Sequence, residues 1–239
     1  MDPANPFRRA VAGALYDLKT ILARYAIALP MQRVRGRGEV VEAGTDVVIE
    51  GFPRCASSFV VAAFRLAQEP RATRIAHHTH MPAQVAAAAR MRVPTIVLIR
   101  EPQATIVSHL IRNPDLPAGP AVRGYVRFYA PLVRHRASFV IGDFAEITTD
   151  LGATIGRLND LFGTAFRPYE HTPEHLARIT REIDEDYRSR AGSDAELERI
   201  VPRPSREREA LREGARARYL AVPVGLRRRA EALYRALAG

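Results

Sequence analysis

Three short segments of the sequence carry side chains that bind anions or transfer protons. Residues 51–58 (Gly-Phe-Pro-Arg-Cys-Ala-Ser-Ser) combine one arginine with two hydroxyls, and residues 78–82 (His-Thr-His-Met-Pro) hold two histidines. Residues 100–109 begin with an arginine and place a serine eight positions after it. Guanidinium and hydroxyl groups hydrogen-bond phosphate or sulfate, and an imidazole accepts protons near neutral pH. The three segments therefore predict chemistry on an anionic substrate.

The stretches that lead into these segments have the pattern of buried strands. Short runs made mostly of apolar, β-branched residues cover positions 46–49, which begin with Asp46, and positions 95–99 and 139–141. Continuous apolar runs of this length are typical of strands covered on both faces of a parallel sheet. We expect an α/β fold, an open and mainly parallel sheet flanked by helices, whose ligands lie beyond the carboxyl ends of the strands. Helical patterns cover residues 58–68, 82–92, 102–112, 120–133, 150–162, 173–190, 211–220 and 226–237.

The turn at residues 51–58 joins a predicted strand to a predicted helix. A helix start presents unpaired N–H groups and the positive end of a dipole, so such a turn can cradle an anion. Arg54 adds a charge, and Ser57 and Ser58 add hydrogen-bond donors. The register is close to that of a nucleotide-binding P-loop, but Ala56 and Ser57 replace its Gly-Lys pair and leave Ser58 alone to hold Mg²⁺. The alternative is that the two serines only cap the helix.

In this order and at these strand ends, the segments resemble the sulfotransferase family. Residues 51–58 resemble its Pro-Lys/Arg-Ser-Gly-Thr-Thr loop for the 5′-phosphosulfate, and residues 78–82 resemble the Lys-Thr-His-Leu-Pro segment that carries its catalytic base. Residues 100–109 are similar to its Arg-(Asx/Glu)-Pro…Ser motif for the 3′-phosphate, and residues 143–147 to its Tyr-Glu-Asp-Leu segment. The resemblance extends over residues 47–166 and implies the P-loop-like sulfotransferase fold.

The resemblance implies metal-free transfer of a sulfuryl group from 3′-phosphoadenosine 5′-phosphosulfate to a hydroxyl or amine of a small-molecule or carbohydrate-like acceptor. It implies that His80 takes the acceptor proton and that Arg54 neutralises charge on the leaving phosphate. The backbone of residues 55–58 would hold the 5′-phosphate, and Arg100 and Ser108 would bind the 3′-phosphate. Without the resemblance, His80 would be interpreted as a surface or helix-cap residue. Arg100 would be interpreted as one partner of a surface ion pair, and Ser108 as an ordinary helix residue.

Several positions depart from the family pattern. Ala56 stands where the loop has glycine, and its Cβ would crowd the donor if the backbone needs a positive φ. Cys55 replaces a serine, and a helix N-terminus lowers the pKa of a thiol, which predicts a site of inhibitory oxidation. Phe144 falls at the tyrosine position and lacks its hydroxyl. The C-terminal Arg-Lys-Gly-x-x-Gly loop is missing, which leaves Arg203 and Arg206 as candidates to bind the 3′-phosphate.

Three other functions compete with this interpretation. A kinase or nucleotide hydrolase would need acidic Mg²⁺ ligands, which Asp143 or Glu146 could supply. A catalytically idle protein would bind adenosine 3′,5′-bisphosphate without transferring a group. A nucleic-acid module would fit the net charge of +10, but the sequence has no tryptophan and no aromatic-basic motif. A metal site at His77 and His78 has no cysteine or carboxylate close by in sequence.

The length and composition of the chain limit its possible domain organisation and location. Its 239 residues, 47% of them hydrophobic, suffice for one α/β domain with appendages. Uncharged stretches are too short to span a membrane, early charges argue against a secretory signal, and the single cysteine fits a reducing compartment. We therefore expect a cytoplasmic protein. We expect an N-terminal helix and linker over residues 1–44 and a sulfotransferase-like domain over 45–239, with a helical region over 170–239 and a loop over 199–208.

The predicted first helix runs over residues 7–29, ends at Pro30 and leads into a Gly- and Arg-rich linker over residues 33–44. This pattern fits a helix packed on its own domain. It also fits a homodimer seam or a helix that lies on a membrane surface. Six apolar residues, alternately four and three apart, form one stripe: Val11, Leu15, Leu18, Leu22, Tyr25 and Leu29.

Overall fold

A computed structural model describes residues 6–35, 38–201 and 206–239 of the chain. Its strands are β1 (Val47–Gly51), β2 (Ile75–His77), β3 (Thr95–Ile99) and β4 (Val140–Asp143). Its α-helices are α1 (Pro6–Leu22), α2 (Leu29–Arg35), α3 (Ser57–Gln68), α4 (Pro82–Met91), α5 (Pro102–Arg112), α6 (Ala118–Tyr129), α7 (Phe144–Ile147), α8 (Leu151–Phe162), α9 (Pro173–Arg190), α10 (Asp194–Ile200), α11 (Arg206–Leu220) and α12 (Val224–Ala238). Short 3-10 helices cover Ala26–Ala28 and Ala130–Ser138.

The strands form one parallel sheet in the order β2-β1-β3-β4. β1 and β3 lie at the centre and are buried along their whole length, as continuous apolar runs require. The predicted α/β class and parallel sheet are confirmed, with strand ends shifted by one or two residues. β2 escaped prediction because three residues are too few to give a recognisable pattern.

The crevice between β1 and β3 is the point where the strand order reverses, since β2 lies on one side of β1 and β3 on the other. Ligands of open α/β sheets bind at such a switch point, beyond the carboxyl ends of the strands. The two strands approach closely here: a Cβ on Gly51 would lie 2.7 Å from the carbonyl oxygen of Leu98. The Tyr129 hydroxyl donates to that carbonyl at 2.7 Å and accepts from the Phe52 N–H at 3.3 Å.

The N-terminal and C-terminal connections differ from the prediction. Pro30 lies in the first turn of α2 rather than ending the first helix, because a first-turn position needs no N–H donor. Part of the predicted linker is packed: Glu39 forms a β-bridge with His77, and Val41 is buried. The predicted loop at 199–208 is interrupted by helix, since α10 continues to Ile200 and α11 begins at Arg206; residues 202–205 lie outside the described residues.

Helix α1 packs on α6, but not through the predicted apolar stripe. Its packed face holds the buried Gly13, and Asp17 accepts hydrogen bonds from Arg123 and Arg127 of α6. The helix therefore packs on its own domain, which is one of the three interpretations of the pattern, but the packed side is not the stripe. Leu29 is buried, whereas the other stripe residues are exposed: Val11, Leu15, Leu18, Leu22 and Tyr25. Across the described ranges, no helix is both long and apolar enough to cross a membrane.

Candidate functional site

Two residues in the turn after β1 have a left-handed backbone conformation. Arg54 and Ala56 have φ of 76° and 66°, in the left-handed region, and α3 starts at the next residue, Ser57. Ala56 is the N-cap of α3 and makes no side-chain capping bond, which contradicts the hypothesis that the serines only cap the helix. The first-turn N–H groups of an α-helix have no intrahelical acceptor. They are therefore available to an anion at this turn.

The two serine hydroxyls of the turn have different surroundings. Ser57 is buried, and its Oγ has no hydrogen-bond partner within the described part of the chain. A buried hydroxyl without a partner loses about 1–3 kcal/mol relative to a satisfied one, and a bound anion would supply that partner. Ser58 Oγ lies 3.3 Å from both the Nε2 atom of His78 and the hydroxyl of Tyr187.

Ala56 has the positive φ at which, from the sequence, its Cβ is expected to crowd the donor. For a residue with a Cβ this conformation costs roughly 1 kcal/mol. Strained backbone of this kind clusters where a turn is shaped around a ligand. The alanine is therefore compatible with the turn, although glycine would adopt the same conformation without that cost.

Cys55 does not fit the prediction of an oxidation-sensitive thiol. Its side chain is fully buried, and its Sγ lies 3.5 Å from the Tyr129 hydroxyl. Burial raises the pKa of this thiol to about 11, so it stays protonated at neutral pH. The nearby helix start does not outweigh the loss of solvation. Cys55 packs the turn onto α6, and only its backbone can take part in binding.

Arg54 connects the turn to two other elements. Its Nε donates to the Oγ of Ser108 on α5 at 2.9 Å, and its Nη1 donates to the carbonyl of Ile200 at 3.1 Å. Arg112 of α5 donates to the same carbonyl at 3.0 Å. This carbonyl belongs to the last residue of α10, where helix carbonyls lack intrahelical donors and carry partial negative charge. Two guanidinium groups therefore converge beside the turn.

Arg100 follows β3 and points at the same turn. Its Nη1 donates to the Arg54 carbonyl at 3.3 Å, and its guanidinium lies 3.8 Å from the ring centroid of Phe144. Burial lowers the pKa of Arg100, and the positive charge of Arg212 on α11 lowers it further. The ring of Phe144 therefore packs against the Arg100 guanidinium and helps to hold it in place. Arg212 was not predicted, and a sequence rich in arginine gives no signal that could single it out.

His80 is joined to the end of β1. Its ring Nδ1 lies 2.7 Å from the Gly51 carbonyl oxygen, which can only accept, so Nδ1 carries the proton and Nε2 carries the lone pair. Its backbone has a φ of 53°, again in the left-handed region. Burial lowers the pKa of the imidazole to about 3, and the ring is neutral at physiological pH. A neutral ring with Nε2 unprotonated is the form that a general base requires.

A buried carboxylate, missed at the sequence level, fixes the segment that carries His80. Glu50 accepts from the Thr79 N–H at 2.7 Å, the Thr79 hydroxyl at 2.9 Å and the His80 N–H at 3.1 Å. It also accepts from Gln84 Nε2 at 3.1 Å. Burial raises the pKa of Glu50 to about 7, although these hydrogen bonds favour the charged form. The available signal was a glutamate inside an otherwise apolar strand.

A chain of hydrogen bonds joins the two preceding histidines to Arg65 and Ser58. Arg65 Nη2 lies 3.0 Å from His77 Nε2, and the Nδ1 atoms of His77 and His78 are 2.6 Å apart. Arginine only donates, so His77 donates from Nδ1 to His78, which then donates from Nε2 to Ser58. Within the described ranges, no group of three or more His, Cys, Asp or Glu residues could hold a metal ion.

The remaining predicted residues lie in other surroundings. Arg206 is exposed at the start of α11, and Arg203 lies outside the described residues. Asp143 accepts from the Tyr234 hydroxyl at 2.8 Å, and Glu146 accepts from Arg157 at 2.8 Å. A cavity of about 320 Å³ lies elsewhere and contains none of the predicted site residues; it is lined by Glu39, Val40, Glu42, Thr45, Arg65, Thr73, Arg74, Ile75 and Ala76.

Comparison with known proteins gives similarity at the level of structure and none at the level of sequence. No protein-family model matches the chain, and no curated protein matches it in sequence. Among solved structures, the chain is similar to mouse sulfotransferase SULT7A1 complexed with PAP, at 12% identity and a TM-score of 0.42. The similarity covers 80% of this chain and 89% of the mouse chain. A likeness this weak assigns no role to any residue, and the α/β architecture rests on the parallel sheet itself.

Proposed function

We propose that this chain transfers a sulfuryl group from 3′-phosphoadenosine 5′-phosphosulfate to a hydroxyl or amine of a small-molecule or carbohydrate-like acceptor. The proposal rests on the sequence resemblance together with one structural relationship. The Arg100 guanidinium contacts the Arg54 carbonyl at 3.3 Å, and His80 contacts the Gly51 carbonyl at 2.7 Å. Three segments that are far apart in sequence therefore meet at one turn. A cytoplasmic location is part of the same proposal.

The residues at the turn fit an anionic donor. The first-turn N–H groups of α3 and the buried Ser57 hydroxyl would bind the 5′-phosphosulfate, which would give that hydroxyl the partner it lacks. Arg100, held against Phe144, would bind the 3′-phosphate together with Ser108. Arg54 would neutralise the charge that develops on the bridging oxygen of the leaving phosphate.

Sulfuryl transfer would form one bond to sulfur and break another. The acceptor oxygen or nitrogen forms a bond to sulfur, the bond between sulfur and the phosphate oxygen breaks, and the electron pair stays on that phosphate. His80 Nε2 takes the acceptor proton, because Nδ1 already donates to Gly51. Glu50 would act as a positioning residue, since it holds the two N–H groups of Thr79 and His80.

The low pKa of His80 is compatible with this role. Burial and neighbouring positive charge lower that pKa to about 3 in the protein alone. A bound donor adds several negative charges beside the ring, and negative charge raises the pKa of an imidazole. The proton affinity of His80 would therefore rise when the donor is bound, which is when a base is needed.

The kinase alternative finds less support at this site. Its candidate Mg²⁺ ligands, Asp143 and Glu146, already accept hydrogen bonds from Tyr234 and Arg157. A catalytically idle protein would bind the nucleotide at the same site, so this alternative differs from the proposal only because no sulfuryl group is transferred.

The deciding experiment incubates the protein with the phosphosulfate donor and a panel of alcohol, phenol, sugar and amine acceptors, with and without EDTA. Chromatography follows release of adenosine 3′,5′-bisphosphate. Acceptor-dependent release that EDTA does not change supports sulfuryl transfer. Binding of the bisphosphate without release from any acceptor supports the idle protein, and activity with ATP that requires Mg²⁺ supports the kinase.

A further inference from the structure

Exposed apolar side chains are concentrated near the N-terminus. Of the sixteen large hydrophobic residues that are exposed in the described part of the chain, nine lie between residues 7 and 31. Phe7 is 73% exposed, Leu15 62%, Leu18 54% and Ile27 83%. Single exposed hydrophobics are common on protein surfaces, but such a concentration marks an interaction site.

The exposed residues of α1 form one continuous face. Phe7, Val11, Leu15, Leu18 and Leu22 follow one another at intervals of four, four, three and four, so they lie along one side of the helix. The helix packs on α6 through its opposite side, where Gly13 is buried. The apolar face, which we call the α1 stripe, therefore points away from the domain.

The charges around the α1 stripe are almost all positive. Residues 6–35 contain six basic residues and one acidic residue, and the whole chain has a net charge of +10. The one acidic residue, Asp17, is engaged by Arg123 and Arg127 on the packed side. Arg8, Lys19 and Arg24 are exposed on α1 and just after it. A surface that covers the α1 stripe would therefore meet cations at its edges.

We propose that the α1 stripe docks on an anionic lipid surface, with the helix lying in the plane of the interface. An amphipathic helix with basic flanks binds such surfaces through apolar burial and attraction to anionic headgroups. Tyr25, at the end of the stripe and 56% exposed, has the amphipathic ring that suits the headgroup region.

A second copy of the chain fits the same face less well. Two α1 stripes in contact would bring their cations together, with no acidic residue on this face to pair with them. The charge of this face therefore favours the lipid surface.

The test is co-sedimentation of the full chain with vesicles of phosphatidylcholine, alone or mixed with phosphatidylglycerol. We expect binding to the mixed vesicles that falls at least about tenfold in a double variant, Leu15→Gln with Leu18→Gln, since each leucine loses its buried area. The control, Leu161→Gln with Leu220→Gln, replaces leucines that are 47% and 46% exposed on other helices and should bind like the wild type. Circular dichroism and urea unfolding verify that each variant is folded.

A second pair of substitutions tests how much the positive charge beside the α1 stripe contributes to vesicle binding. Arg8→Glu with Arg24→Glu leaves the α1 stripe intact and should lower binding to the mixed vesicles, and added salt should weaken wild-type binding in the same way. The proposal is overturned if the wild type does not sediment with the mixed vesicles, or if the leucine double variant binds as well as the wild type. It is also overturned if light scattering without lipid shows a dimer that this double variant dissociates, because the occupant would then be a second copy.

Discussion

The side chain of Arg54 donates from Nε to the Oγ of Ser108 at 2.9 Å, so the turn after β1 contacts the helix that follows β3. The sequence resemblance implies that Arg54 acts on the 5′-phosphate and that Ser108 binds the 3′-phosphate of one nucleotide. Arg100, the other predicted 3′-phosphate ligand, contacts the Arg54 carbonyl. The two predicted subsites are therefore contiguous, and a ligand that carries two phosphates could bridge them at the switch point of the sheet.

Arg100→Ala should weaken binding of adenosine 3′,5′-bisphosphate by about 2–3 kcal/mol, because a charge-assisted contact to phosphate is lost. Isothermal titration calorimetry measures the change. Arg90→Ala is the matched control, since Arg90 is exposed on α4 and removing it changes the net charge by the same amount. Equal losses in the two variants would mean that general charge, and not a specific contact, governs binding.

His80→Ala should abolish transfer and leave the affinity for the bisphosphate within a few-fold, because the proposed base acts only on the acceptor. His135→Ala, on the 3-10 helix after α6, serves as the control and should keep wild-type turnover. The tautomer is measurable separately: nitrogen-15 NMR of the ring should show Nδ1 protonated and Nε2 unprotonated at pH 7. A wild-type rate in His80→Ala, or the opposite tautomer, would contradict the assignment.

Glu50→Gln should lower the free energy of unfolding at pH 5 by about 1–3 kcal/mol, because the amide nitrogen cannot accept the hydrogen bonds that one of the carboxyl oxygens accepts. The exposed Glu42→Gln should change it by less than about 0.5 kcal/mol. Urea unfolding gives both values. If the two variants lose equal stability, Glu50 does not hold the histidine segment.

The same carboxyl group predicts a specific pH dependence. The pKa of Glu50 is about 7 in the folded protein against an ordinary value of 4.5, so the folded state binds more protons between these values. Its contribution to stability is present below the ordinary pKa and is lost as the pH rises through the folded one. The difference in unfolding free energy between wild type and Glu50→Gln should therefore shrink from pH 5 to pH 7.5. A difference that grows over this range would contradict the raised pKa.

Ala56→Gly should stabilise the protein by roughly 0.5–1 kcal/mol, because glycine adopts the left-handed conformation without steric cost. Ala89→Gly, inside α4, should destabilise it by about 1 kcal/mol and shows the ordinary effect of the same substitution. Thermal unfolding of the two variants should move in opposite directions. Destabilisation by both would mean that the turn does not strain the alanine.

The sequence alone predicts the parts of the fold in which the pattern of apolar and polar residues is strong and regular. β1, β3 and β4 each contain a short apolar run, and the polar residues that follow β1 and β3 lie at one end of the sheet because parallel strands share a direction. Helix starts at Pro82 and Pro102 were predicted because proline is favoured in the first turn. These features depend on local residue order, which a sequence displays directly.

The features that escaped prediction depend on contacts between distant segments. The protonation of Cys55 follows from its burial against Tyr129, 74 positions away in the chain, and no local pattern reports that burial. The role of Glu50 likewise appears only when residues 79–84 fold against β1. Four residues of the predicted stripe, Val11, Leu15, Leu18 and Leu22, lie along one side of α1, but the direction of that side depends on which side of the helix meets α6.

Calorimetric titration of the protein in EDTA with adenosine 3′,5′-bisphosphate and, separately, with adenosine 5′-monophosphate measures whether one site holds both phosphates. We predict metal-independent binding of the bisphosphate, tighter than that of the monophosphate by about 2–3 kcal/mol, as expected for one additional charge-assisted phosphate contact. Equal affinity for the two nucleotides, or no binding of either, would contradict a donor site formed by Arg54, Ser57, Arg100 and Ser108.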